Sequence, residues 1–141
     1  MPDYFQMIHP RIVHFPIALF ITALGLEIIS IIFRKDKLHA TALHIYVVAA
    51  LLTPLVIRTG LWEETRLHLN HPVLTTHRTF ALWTMWISLG SLPILWFMKQ
   101  ELSKYNRAVF VIFLLIIVSL VSITAHNGGR MVYEYGVGVA N

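Results

Sequence analysis

The chain has 141 residues, 57% of them hydrophobic and 13% charged, with a formal net charge of +4 and no cysteine. A soluble domain carries about 25% charged residues, so this composition selects a single membrane domain. The charges cluster at the ends of apolar runs and form no basic stripe, which excludes nucleic acid as a partner. The lack of cysteine excludes disulfides, thiolate zinc sites, cysteine-ligated iron–sulfur clusters and covalent c-type haem.

In chain order, the opening "MPDYFQMIHP" lacks the basic region of a cleavable leader, so the first apolar run is expected to be retained. Four spans are predicted, at about 10–33, 39–61, 72–98 and 105–127. Each is long enough to cross a hydrocarbon core of about 30 Å. Pro10 and Pro72 fall near a first helical position, where a missing N–H is harmless. Pro16, Pro54 and Pro93 fall inside spans, and Pro93 is a candidate early stop for the third. Gly128 and Gly129 are expected to stop the fourth helix, leaving 128–141 as an outward-facing, non-helical tail. Short linkers then predict one all-α domain, a transmembrane four-helix bundle running up-down-up-down.

Arg34, Lys35 and Lys37 follow the first span, and Lys99, Lys104 and Arg107 flank the third turn. The positive-inside rule makes that side cytoplasmic, with both termini outward, as expected for a multi-pass protein of the bacterial inner membrane. Arg11, Arg58, Arg66, Arg78 and Arg130 oppose this from the outer side, in company with Glu63, Glu64 and Glu134.

Histidine carries the chemical signal. His9, His14, His71, His77 and His126 fall at the outer ends of three spans, and His68 in the outer loop. Only His39 and His44 fall at the inner side. His14 and His77 lie at nearly equal depth on spans that an up-down bundle makes diagonal. Small residues follow along their faces, Ala18 and Gly25 after His14, and Ala81, Thr84 and Ser88 after His77. Two imidazoles from opposite helices are the ligand set of a b-type haem. Arg58 and Arg78 are candidates to pair with its propionates. His9, His71 and His126 form a possible second metal site, with copper or zinc as alternatives to haem. A single histidine would also serve a magnesium pigment. Against all of these stands a plain structural role, in which each histidine hydrogen-bonds a loop. His44 reads as structural, and Glu27 as a proton-relay group or the partner of a basic residue. Trp83 and Trp86 are weighed as pocket lining against ordinary packing. "HPRIVH" and "HPVLTTH" also hint at a two-fold repeat of the first two spans in the last two.

The segments "HPRIVHFPIAL" and "GGRMVYEYGVGV" resemble the small bacterial membrane proteins of the domain of unknown function 2231 family. The matching positions include His9, Pro10, His14, Pro16, His77, Gly128, Gly129, Tyr133 and Gly136. Tyr135 stands where such sequences often have a histidine. The resemblance implies four membrane helices, and relatives fused to electron-transfer domains imply redox work.

No serine–histidine–acid set and no phosphate loop is present. The chain is therefore expected to be an electron-transfer subunit rather than a stand-alone enzyme. It would pass electrons from a membrane donor such as quinol to a redox partner on the outer face, within a larger complex in the lipid bilayer.

Overall fold

The computed structural model describes residues 8–67, 71–98 and 103–136. All regular structure among them is helical: α1 (Ile8–Ile12), α2 (His14–Phe33), α3 (Asp36–Leu67), α4 (Pro72–Met98) and α5 (Lys104–Tyr133). Tyr4, His68, Lys99 and the 137–141 segment lie outside the described residues. Four segments are long and apolar enough to span a membrane: Ile8–Phe33, Asp36–Thr65, Pro72–Met98 and Lys104–Tyr133.

The first span is broken at Val13, three residues before Pro16. A proline ring crowds the carbonyl four residues back and donates nothing to it. That carbonyl belongs to Ile12, the last residue of α1. Pro54 would strand the Ala50 carbonyl in the same way, but the Thr53 hydroxyl donates to it at 2.7 Å. Helix α3 therefore runs unbroken through its proline. Pro93 does not stop α4, which continues to Met98.

Two helices run past their expected ends. Helix α3 is longer than 39–61 because Asp36 opens it and its polar last turns continue to Leu67. Helix α5 passes through Gly128 and Gly129 to Tyr133, so 128–133 is helix rather than tail. Arg130 holds the last turn through Glu134 at 2.8 Å and the Tyr135 hydroxyl at 2.9 Å. The left-handed residue that ends the segment is Gly136, with φ +62°.

The helices pack as a square. Helices α2–α3 and α4–α5 form two hairpins, joined by α2 against α5 and α3 against α4, so α2 and α4 are diagonal. In the α2–α3 turn, Arg34 takes φ 53°, and its N–H and that of Lys35 both reach the Ser30 carbonyl. Before α5, the Ser103 hydroxyl accepts from the Asn106 N–H at 3.2 Å, a cap of the expected residue type.

Each hairpin turns a seven-residue register toward the bundle axis. In the first span it is His9, Pro16, Ala23 and Ser30, and in α3 it is His39, Tyr46, Thr53 and Gly60. In α4 it is His77, Thr84, Ser91 and Met98, and in α5 it is Arg107, Leu114, Val121 and Gly128. Every one of these residues is buried or half-buried. A shift of 68 residues carries the first two registers onto the last two, as from His9 to His77 and from Gly60 to Gly128. A period of seven keeps one seam facing the partner helices. The two-fold repeat is real in the fold, and it pairs His77 with His9 rather than with His14.

The pairing of Thr53 with Pro54 is testable. Thr53→Val removes the hydroxyl at nearly constant shape and leaves a buried carbonyl unpaired, which costs about 1–3 kcal/mol. In a Pro54→Ala background the restored N–H serves that carbonyl, and the same change is expected to cost less than half as much. Unfolding in detergent measures both, and equal costs would refute the compensation.

Candidate functional site

Helix α1 is only five residues long, and it packs chiefly on α3. It brings the half-buried His9 against the last turns of that helix. His9 Nδ1 lies 3.0 Å from the Val56 carbonyl and 3.2 Å from the Thr59 hydroxyl. A carbonyl can only accept, so Nδ1 carries the hydrogen. The His9 backbone N–H donates to Glu63 Oε1 at 3.1 Å, which fixes the start of the span. The imidazole lies on Gly60, where a Cβ would come within 2.8 Å of its Cε1.

The second hairpin repeats this arrangement 68 residues on. His77 Nδ1 lies 2.8 Å from the Thr124 carbonyl, and a Cβ at Gly128 would come within 3.3 Å of its Cε1. In both halves the histidine donates to a carbonyl four residues before the glycine it covers. The two rings meet edge to face with centroids 6.4 Å apart. Among the described residues neither Nε2 makes a hydrogen bond. A histidine whose Nδ1–H is anchored on a backbone carbonyl presents the Nε2 lone pair, the arrangement that orients metal ligands.

The other predicted ligands are placed differently. His14 is exposed on α2, and the ring that meets His77 is that of His9. The reason is the helical register: His9 is two heptads before Ala23 on the buried seam, whereas His14 is out of phase with it. The second site expected from His9, His71 and His126 is not assembled. Among the described residues no group of three or more metal-binding side chains is found. His71 packs its ring on Tyr135, centroids 4.3 Å apart, and its Nδ1 accepts from the Val73 N–H at the start of α4. His126 is exposed, beside a shallow cleft with Gly129, Arg130, Tyr133 and Glu134.

Arg58 and Arg78 are both exposed near this end, and Arg78 pairs with Glu64 at 2.8 Å. His44 donates to the Ala40 carbonyl in its own helix, at 2.6 Å, as a structural residue does. Trp83 and Trp86 are more than half exposed on the outside of α4 and line nothing in the bundle.

At the opposite end Glu27 is completely buried and meets His39 Nδ1 at 2.7 Å, so the basic partner is found. Glu27 Oε1 has no partner, although it is inaccessible.

The fold is thus a four-helix bundle of membrane-spanning length with a paired histidine centre across its diagonal. The family model described as Predicted membrane protein (DUF2231) matches residues 6–141, and the chain belongs to that family. No curated protein and no solved structure matches it.

The glycine cradles generate a prediction. Gly60→Ala places a methyl group where the His9 ring stands, and overpacking of this kind costs about 1–3 kcal/mol. Gly128→Ala, with the longer approach, is expected to cost clearly less. In a His9→Ala background the ring is gone, and Gly60→Ala is expected to become nearly neutral. Thermal unfolding of the four variants forms a double-mutant cycle, and additivity would show that ring and glycine do not touch.

Proposed function

We propose that this chain is a membrane electron-transfer subunit whose centre is a metal held between His9 and His77. The carrying observation is the pair itself, two rings 6.4 Å apart, each with Nδ1 tied to a carbonyl of the neighbouring helix. With each Nδ1–H held by a carbonyl, His9 and His77 would hold one metal through their Nε2 lone pairs, the two rings turning toward it from their present edge-to-face contact. The rings come from different hairpins across the bundle diagonal, as in the bis-histidine haem sites of helical bundles.

Haem b is the cofactor this reading favours, supplying one-electron redox chemistry when bound. The chain's own contribution is to fix both ring orientations, to hold the ligands neutral in tautomer, and to exclude side chains at Gly60 and Gly128. Arg58, exposed at this end, is a candidate for a propionate. Copper is the second reading, favoured by the same two-ligand geometry, since imidazole suits copper as well as iron.

Orientation follows from charge. Arg34, Lys35, Lys37, Lys104 and Arg107 gather at the Glu27 end, which this reading places in the cytoplasm. The histidine end then faces outward, where an external redox partner meets it and quinol in the bilayer supplies electrons.

The test is a reduced-minus-oxidised optical spectrum of the purified chain, with iron and copper measured on the same sample. Haem b with one iron per chain is expected. His9→Ala and His77→Ala should each abolish the low-spin bis-histidine bands, and His14→Ala should leave them unchanged. Copper in place of iron would transfer the site to the second reading. Neither metal, after growth with both supplied, would leave the pair as a structural contact. Single cysteines at Lys35 and at Gly136 test orientation with an impermeant thiol reagent. Labelling in intact cells is expected at 136 only, and labelling at 35 only would reverse the topology.

A further inference from the structure

We propose that the bundle axis is a proton path, entered at the Glu27–His39 pair and rising between α3 and α4 to the histidine end. This inference goes beyond the metal centre and does not need it. Glu27, Ser30, Thr53, Thr84, Ser88, Ser91, Thr124 and Asn127 are all buried. Polar groups inside a membrane bundle are expensive, and they mark relays and ion pathways.

Their placement is ordered. The axial register of α3 reads His39, Tyr46, Thr53, and that of α4 reads Ser91, Thr84, His77 in the opposite chain direction. The two columns are linked at mid-height, where the Tyr46 hydroxyl and the Ser91 hydroxyl lie 2.7 Å apart. Ser91 in turn donates to the Ser88 carbonyl at 2.7 Å. Successive levels of one register stand about 10 Å apart along the axis, and the Phe110 ring packs on both His39 and Tyr46, so transfer between levels requires water that inserts beside that ring. At the histidine end both His9 and His77 are half-buried rather than fully enclosed.

Glu27 supplies the acid–base group. Its Oε2 meets His39, and its Oε1 is buried with no partner. On α5 the charged groups at this end are Lys104 and Arg107, and Arg107 donates to the Ser30 hydroxyl at 2.9 Å and to Asp36 at 3.2 Å. Arg107 Nε is also buried and unpaired. Helix α4 brings no charge to this end, since Arg78, its one Lys, Arg, Asp or Glu, lies at the other. A buried carboxylate oxygen and a buried guanidinium N–H are thus both left without a hydrogen-bond partner at this end. A proton arriving from the solution on that side binds Oε1 and leaves to the hydroxyl column.

The experiment reconstitutes the full chain in phosphatidylcholine vesicles that enclose a pH-sensitive dye. A potassium diffusion potential of either sign drives the flux, and the chain is tested with and without bound metal. Proton entry is expected to exceed that of protein-free vesicles several-fold. Glu27→Gln and Tyr46→Phe should each return it most of the way to the protein-free rate. His44→Ala, off the axis, should conduct as the native chain does. Tyr46→Phe removes one oxygen from a well-packed ring, so it decides the matter if Glu27→Gln is misfolded by circular dichroism. Native flux equal to that of empty vesicles, or undiminished flux in Tyr46→Phe, would overturn the path. Bound haem without proton flux would overturn this inference alone, and flux without metal would keep it while the metal reading fails.

Discussion

A polar atom inside this bundle has to find its partner within the protein, because the surrounding hydrocarbon offers none. That one requirement accounts for much of what the helices do. Thr53 exists beside Pro54 to serve the carbonyl that the proline strands. His9 and His77 spend their Nδ1 hydrogens on carbonyls of the adjacent helices, which ties α1 to α3 and α4 to α5. Ser30 receives Arg107 from α5 while donating to the Lys35 carbonyl, so one hydroxyl joins the turn to the far hairpin. These bonds do little for net stability individually, but leaving any of them unmade would be costly.

The apolar packing sets where such bonds can form. Tyr46, Phe20 and Phe110 meet edge to face in the core, with centroids 5.4 Å and 5.6 Å apart. Helix α5 presents Leu114, Ile117 and Val121, and helix α4 presents Ser88 and Ser91 opposite. The outer surface, by contrast, carries Phe15, Ile32, Trp86, Trp96 and Phe97 largely exposed, as side chains that meet lipid would be.

Much of this was legible in the sequence. Hydropathy alone sets α4 at 72–98, and the up-down order follows from short linkers. The choice of histidines was less legible, and the reason is geometric. Sequence spacing from Pro10 and Pro72 favours His14 as the mate of His77, but burial follows a heptad seam that passes through His9. The signal was present as the 68-residue shift, which sets His9 on His77, Val56 on Thr124 and Gly60 on Gly128. Few residue identities survive that shift, so it is visible as matched burial rather than matched letters. Gly128 and Gly129 misled for a related reason. Read as helix stops, they are instead internal positions, and Gly128 clears room for the His77 ring.

The position of the histidine pair between the hairpins has a thermodynamic consequence. Each half of the chain holds one ring and completes its own support for it, so neither half alone forms a two-sided site. Any guest that bonds both rings is a clasp, and its affinity is inseparable from the association of the two halves. By linkage, occupancy stabilises the closed bundle, and loosening of the α2–α5 and α3–α4 contacts weakens the guest by the same factor. A centre built on a seam thus reports on the assembly of the molecule that carries it.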